Sequence, residues 1–228
     1  MKLSVVMPVY NEKATIREII DKVRSVDLDK ELIVVDDGST DGTRDILKEI
    51  EPSLDGAGRV FYFDHNRGKG AAVRYGIAQA TGEVLVIQDA DLEYDPEEFH
   101  NLLEPFEKGR AAVVYGSRFL GGHRTGYYWT TLGNKFLTWL TNIIYNTNLT
   151  DMETCYKLFS MDVLREIELK CKRFEFEPEV TAKILKRGIH IYEVPISYVG
   201  REYSEGKKIT WKDAWEAIKT LVRYRVFD

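Results

Sequence analysis

Two rhythms of apolar residues run through the first half of the chain. Continuous stretches rich in Val, Ile and Leu fall at residues 3–9, 32–35, 60–63, 84–88 and 112–115. Between them, apolar residues recur three and four apart: Ile16, Ile19, Ile20 and Val23 within 12–26, then Ile46, Leu47 and Ile50, then the segment 70–80. The first rhythm predicts buried strands and the second predicts helices with one apolar face. Strands that are apolar on both faces and alternate with helices predict an α/β fold, a mostly parallel central sheet with helices on both faces. Asp95-Pro96-Glu97-Glu98 predicts a helix start, with a capping acid, a proline whose missing N–H costs nothing there, and acids in the first turn.

The second half is less regular. Residues 116–126 form a glycine-rich, basic loop, 129–145 an aromatic helix, and 157–160 a short strand. Glu177-Pro178 opens a helix to residue 187, residues 189–198 alternate like a strand, 199–208 form a basic loop, and Thr210 caps a last amphipathic helix. No linker composition or internal repeat divides the 228 residues, so one domain over 1–228 is expected, with a second half that shapes the substrate.

Composition narrows the classes. A net charge of −5 argues against a general nucleic-acid binder. Cys155 and Cys171 form no disulfide framework and no metal spacing, and fit a reducing, cytoplasmic setting. The four histidines also lack metal spacing. No signal peptide and no run of about 18 apolar residues is evident, so nothing is expected to span a bilayer.

The chemistry concentrates where predicted strands end. In open parallel sheets, ligands bind beyond the carboxyl ends of the strands. The run 84–88 ends in Asp89-Ala90-Asp91, two carboxylates with one small residue between them. Side chains two apart on an extended backbone share a face, and close carboxylates repel unless a cation sits between them. Hard oxygen donors suit Mg²⁺ or Mn²⁺, although Asp-x-Asp alone is also the pattern of two solvated acids. Pro8-Val9-Tyr10-Asn11-Glu12 follows the first strand and reads equally as an ordinary turn with Asn11 as cap. Asp36-Asp37 follows the second, where an acid accepts from a base or ribose, or caps a helix. Asn66-Arg67-Gly68-Lys69-Gly70 opens the helix after the third, where backbone N–H groups favour anions; the Walker spacing is absent.

Taken in order, Pro-x-Tyr-Asn-Glu, Val-Val-Asp-Asp-Gly-Ser-x-Asp-Gly-Thr, Asn-x-Gly-Lys-Gly-x-Ala and Asp-Ala-Asp resemble the inverting family 2 glycosyltransferases of GT-A fold. Within them the chain is similar to the dolichyl- and undecaprenyl-phosphate sugar synthases, from about residue 3 to 209. The resemblance implies a Rossmann-like nucleotide-sugar half at 1–116 and an acceptor half at 117–228. It implies that Pro8, Tyr10, Glu12 and Asp37 hold the nucleoside. Lys69 joins the donor site, and Asp89 and Asp91 bind the nucleotide sugar and the divalent ion, with Glu93 as an extra metal ligand. Arg118, of Gly116-Ser117-Arg118, is implied to face a lipid phosphate. Asp151-Met152-Glu153-Thr154-Cys155-Tyr156 resembles the family's Asp-x-x-Ser/Cys-Gly-Phe, so Asp151 takes the place of its Asp. Cys155 stands where Gly is usual, which puts the local turn in question. Arg201 and Gly206-Lys207-Lys208-Ile209 match a segment that closes over the diphosphate.

The implied reaction is transfer of a sugar from a nucleotide-diphosphate sugar to a polyprenyl phosphate. Asp91, Asp151, Arg118 and Arg201 are the implied catalytic residues. A phosphate monoester, with a second pKa of roughly 6, is already a nucleophile near neutrality and needs charge neutralisation more than a base. Arg118, Arg124, Lys135 and Lys207 are the candidates for it, with Lys208 beside the diphosphate. Asp151 would orient an Arg or sugar hydroxyls, or act as base for a hydroxyl acceptor. Alternatives are a soluble or glycan hydroxyl acceptor with the same donor chemistry, and a sugar-1-phosphate nucleotidyltransferase, whose glycine-rich loop after the first strand is missing. Residues 127–145 and the last helix carry aromatics and aliphatics suited to a membrane surface or to core packing. With no spanning helix expected, attachment is expected to be peripheral or through a membrane-protein partner.

Overall fold

The structure, a computed structural model, describes residues 1–122, 127–200 and 211–227. The strands are β1 (Leu3–Val9), β2 (Lys30–Asp36), β3 (Gly58–Tyr62), β4 (Val84–Ile87), β5 (Val113–Ser117), β6 (Lys157–Ser160) and β7 (Tyr192–Pro195). They form one sheet in the order β3-β2-β1-β4-β6-β5-β7. All pairs are parallel except those of β6, which runs antiparallel to both β4 and β5. A strand from the second half of the chain thus lies between two from the first.

The helices are α1 (Ile16–Ser25), α2 (Thr43–Ile50), α3 (Lys69–Gln79), α4 (Phe99–Glu107), α5 (Tyr128–Tyr145), α6 (Met161–Arg165), α7 (Phe176–Lys186) and α8 (Trp211–Val226). Every residue of β1, β4 and β5 is buried, so both faces of the sheet are covered, which is why these strands are apolar throughout. The expected helix over 12–26 begins only at Ile16, because Asn11 takes a left-handed backbone (φ 52°) and 12–15 make a turn. Asn11 is therefore not the cap of α1; that position is Thr15. Asp95 does cap, accepting from the Glu97 N–H at 3.1 Å, but the first turn, Pro96–Glu98, is 3₁₀ and runs into α4. The expected strand 189–198 is ordered as strand only over Tyr192–Pro195, while Lys157–Ser160 is a strand as expected. Thr210 lies outside the described residues.

Two cores result. The larger packs both faces of the sheet, and a smaller one joins Leu137 and Tyr145 of α5, Ala182 of α7, and Ala217 and Leu221 of α8. Cys155 and Cys171 are buried, as small apolar groups are. Cys155 does not take a left-handed backbone, so the departure from Gly leaves the turn intact.

At the amino ends of the parallel strands, a single carboxylate ties four segments. Buried Glu31 accepts from Ser4 Oγ (2.7 Å), from the Thr81 N–H and Oγ1 (2.6 and 2.9 Å) and from Arg59 (3.0 Å). Burial opposes its charge, but these donors outweigh it and hold the acid down at about 2. A folded pKa below the unfolded one means that the stabilisation is present above pH 4.5 and is lost as pH falls toward 2. Replacing Glu31 by Ala should cost about 2 kcal/mol at pH 7, through the donors left unpaired. Urea denaturation at pH 7 and at pH 2.5 checks it; the penalty should be smaller at the lower pH.

Candidate functional site

Loops at the carboxyl ends of the strands are stitched to each other before any ligand is considered. The Asn11 N–H donates to Ser39 Oγ (2.9 Å), the Thr40 N–H to Asn11 Oδ1 (2.9 Å) and the Glu12 N–H to Thr43 Oγ1 (2.9 Å). Gly38 is left-handed (φ 74°), and a Cβ there would fall 2.5 Å from the His65 carbonyl carbon, so only glycine lets these loops meet. Asp36 is fully buried against Arg44 at 2.6 Å. Asp37 is turned inward: its two oxygens accept the Arg67 and Gly68 N–H groups at 2.6 and 2.8 Å. Burial pushes its carboxyl up, those two bonds pull it down, and the net direction is up. Asp37 therefore also shapes the loop that starts α3. Pro8 is buried inside β1, opposite Val35, whereas Tyr10 and Glu12 lie half-buried in the loop after it.

Asp89 and Asp91 follow β4 directly. Their backbone is fixed by its neighbours. Tyr156 OH donates to Gln88 Oε1 (2.6 Å), Gln88 Nε2 to the Asp89 carbonyl (3.0 Å) and Thr15 Oγ1 to the Ala90 carbonyl (2.9 Å). Asp91 is buried and Asp89 is half-buried. Lys69, the first residue of α3, reaches Asp89 at 2.9 Å and Glu177 of α7 at 3.0 Å. Burial works against its charge, but Asp89 and then Glu177 hold its pKa well above the ordinary range. Glu177 is a site residue that the sequence concealed: an acid before Pro178 reads as helix capping, and only the fold brings α7 to β4.

Two carboxylates with no third acid, His or Cys joining them in a metal-holding group among the described residues make a hard, incomplete donor set. That set fits Mg²⁺ or Mn²⁺, which take one or two carboxylates and complete their shell with phosphate oxygens and water. Glu93 does not complete a three-acid cage. Tyr198 OH donates to its Oε2 (3.0 Å), and its own N–H donates to Asp91 Oδ1 (3.2 Å). Glu93 thus braces Asp91 and the chain at 198–199.

Beyond β5, Arg118 and Asp151 form a bidentate pair. Arg118 Nε donates to Asp151 Oδ2 (2.7 Å), Nη2 to Oδ1 (2.8 Å), and the Arg118 backbone N–H adds 3.1 Å to Oδ2. Asp151 is fully buried and orients Arg118. Its own backbone N–H donates to Glu193 of β7 at 3.1 Å. The Arg118 guanidinium carbon lies 5.9 Å from the Phe119 ring, and Lys135 Nζ lies 5.3 Å from the same ring. Because β6 is antiparallel, the residues that precede it, 151–156, reach the same end of the sheet as those that follow β4. Arg124, Arg201, Lys207 and Lys208 lie outside the described residues.

A mostly parallel seven-stranded sheet with an acid pair after β4 and one reversed strand beside it defines the GT-A class of nucleotide-diphosphate-sugar folds. The chain belongs to glycosyl transferase family 2, whose profile matches residues 4–168. It is 31% identical over 218 residues to an undecaprenyl-phosphate mannosyltransferase of Micrococcus luteus, covering 91% of this chain and 87% of that one. It is 29% identical to a low-salt glycan biosynthesis hexosyltransferase of Haloferax volcanii, covering 96% of this chain; it spans only about half (53%) of that relative's length. The fold is that of glucosyl-3-phosphoglycerate synthase of Mycobacterium tuberculosis, solved with Mn²⁺, UDP-glucose and phosphoglyceric acid (TM-score 0.75, 22% identity, 98% of this chain and 79% of that one).

Removing the cation that α3 contributes should unsettle three elements at once. Lys69→Met removes the cation that Asp89 and Glu177 share, which should cost about 3 kcal/mol. Chemical denaturation of the variant against the native chain reads that loss directly.

Proposed function

We propose that the chain transfers a hexose from a nucleoside-diphosphate sugar to a polyprenyl phosphate, inverting the anomeric carbon. The observation that carries the reading is the pairing of two charge environments at one sheet end: the acids Asp89 and Asp91 on one side, the Arg118 and Lys135 cations around Phe119 on the other. The relatives named for polyprenyl-phosphate substrates support it, among them a polyprenol monophosphomannose synthase of Mycolicibacterium smegmatis (29% identical, 89% of this chain and 79% of that one).

In this mechanism Asp89 and Asp91 would hold Mg²⁺ or Mn²⁺. The ion, when bound, supplies positive charge to the departing diphosphate. Lys69 keeps Asp89 fixed so that the pair is preorganised. Arg118, aimed by Asp151, receives the acceptor phosphate and lowers its repulsion from the donor. The phosphate oxygen attacks the sugar carbon from the face opposite the diphosphate; the carbon–oxygen bond to the diphosphate breaks as the new one forms. A dianionic phosphate needs no base, so Asp151 is assigned to orient Arg118. Arg124, Arg201, Lys207 and Lys208 are proposed as further phosphate contacts on the strength of the motifs alone.

The acceptor's lipid would meet α5. Its residues Trp129, Leu132, Phe136, Trp139 and Ile143 repeat at three- and four-residue spacing and are all exposed, with Trp129 at 78%. The opposite stripe, Leu137, Thr138, Thr141 and Tyr145, is buried. On α8, Trp215, Val222 and Val226 are also exposed, and Tyr145 OH donates to the Leu221 carbonyl, so the two helices adjoin. Contiguous exposed apolar surface of this kind marks an interaction site, and an amphipathic helix rooted beside two cations suits an anionic lipid surface. No helix among the described residues is long and apolar enough to cross a membrane.

Two experiments test this. A panel of GDP-mannose, UDP-glucose and UDP-N-acetylglucosamine with Mg²⁺ or Mn²⁺, offered a short-chain polyprenyl phosphate, should yield one lipid-phosphate sugar by mass spectrometry. Asp91→Ala or EDTA should lower that turnover at least a hundredfold; transfer only to phosphoglyceric acid or oligosaccharide hydroxyls would refute the acceptor. Separately, Phe136→Ser with Trp139→Glu should reduce sedimentation with anionic vesicles about tenfold while donor binding stays unchanged.

A further inference from the structure

After β7 the chain crosses between the two loops that carry the charges of the site. Its N–H groups alternate from one loop to the other. Those of Ile196 and Tyr198 donate to the Ser117 and Gly122 carbonyls, at 3.2 Å each, on the side of β5 and Arg118. The Ser197 N–H and Oγ donate to Glu98 Oε1 (2.8 and 2.7 Å), and the Val199 N–H to the Glu93 carbonyl (3.0 Å), on the side of β4 and the acid pair. Ile196 is buried, and a Cβ on Gly121 would fall 2.2 Å from its carbonyl oxygen, so the loop after β5 lies directly on this crossing. Residues 196–199 thus staple the loop that holds Arg118 to the loop that holds Asp91.

Tyr198 carries the staple into the site. Its hydroxyl donates to Glu93 Oε2 (3.0 Å), and the Glu93 N–H donates to Asp91 Oδ1 (3.2 Å). Its ring centre lies 5.2 Å from the Arg118 guanidinium carbon, nearer than that of Phe119 at 5.9 Å and within cation–π range. Buried Tyr94 holds the same ring edge-to-face at 5.2 Å. Asp151 fixes Arg118 along one edge, through Nε and Nη2, and an aromatic ring limits the tilt that an edge contact leaves open. One half-buried side chain therefore touches the arginine on one side of the site and, through one residue, an acid on the other.

We propose that Tyr198 is the positioning residue that sets the acceptor arginine relative to the acid pair, its ring acting on Arg118 and its hydroxyl, through Glu93, on Asp91. The inference rests on the sugar-transfer reading above and adds the part that ties its two substrate sites together. An in-line displacement needs the attacking and departing groups at a fixed separation, and misplacement by about 1 Å costs on the order of a hundredfold in rate. A side chain that grips both carriers supplies that constraint. No bond is made or broken at Tyr198.

The two halves of the side chain separate by substitution. Tyr198→Phe keeps the ring and loses the hydroxyl; Tyr198→Leu and Tyr198→Met lose both. Isothermal titration of the full chain reads affinity for Mn²⁺ in the presence of UDP or GDP and, separately, for geranyl phosphate. Tyr198→Phe should weaken Mn²⁺ about fivefold or more and leave geranyl phosphate within about twofold. Tyr198→Leu and Tyr198→Met should show the same Mn²⁺ loss and also weaken geranyl phosphate about fivefold or more. In a Glu93→Ala background, adding Tyr198→Phe should change Mn²⁺ affinity by less than about twofold, because the hydroxyl has lost the group through which it acts. A tyrosine that only supports the fold would lower both affinities together or neither. Unchanged Mn²⁺ affinity in Tyr198→Phe, an equal loss with and without Glu93, or geranyl phosphate affinity indifferent to the ring would each overturn the proposal. A native chain that fails to bind Mn²⁺ with either nucleotide, or fails to bind geranyl phosphate, refutes the transfer reading itself, and the positioning role falls with it.

Discussion

Lys69 between Asp89 and Glu177 is the contact on which the site depends. Three elements that are far apart in sequence end at one ammonium group: the first residue of α3, the loop after β4 and the start of α7. Without Lys69 the acid pair would face a like charge across a buried gap. With it, Asp89 is fixed and the loop is organised before a ligand arrives.

A second constraint is topological. In a parallel sheet, active residues follow strands. Reversed β6 breaks that rule, and the residues just before it, rather than after, arrive at the site. This is how one short segment contributes Asp151 to aim Arg118 and Tyr156 to clamp Gln88 behind the acid pair. The bidentate geometry of Arg118 on Asp151 turns a long, flexible side chain into a fixed one.

Much of this was legible in the sequence for one physical reason: strands buried on both faces must be apolar throughout, so β1, β2 and β4 announce themselves, and the loops after them carry the motifs. What stayed hidden depends on contacts across the fold. Glu177 reads as a first-turn acid next to a proline. Glu93 has the spacing of a third metal ligand; that it also accepts from Tyr198, more than a hundred residues away, was hidden. Asp37 follows a strand like a nucleotide-binding acid; that both its oxygens also hold the loop after β3 was hidden. The direction of β6 cannot be read from four apolar-rich residues, and α6, with five residues, is too short to show a helical period. The aromatic helix α5 was visible; that it carries one buried and one exposed apolar stripe was not, because both stripes look alike until a neighbour covers one.

Glu31 and its donors sit at the opposite pole of the sheet from the acid pair, at the amino ends of the strands. Cohesion and chemistry are therefore kept apart. The amino-end pole draws its strength from a carboxylate that stays ionised far into acid, and it shares no side chain with the loops that meet substrates. Variation among those loops leaves that anchor untouched, so a lineage built on this plan is free to exchange one sugar or one lipid for another without endangering the fold that carries them.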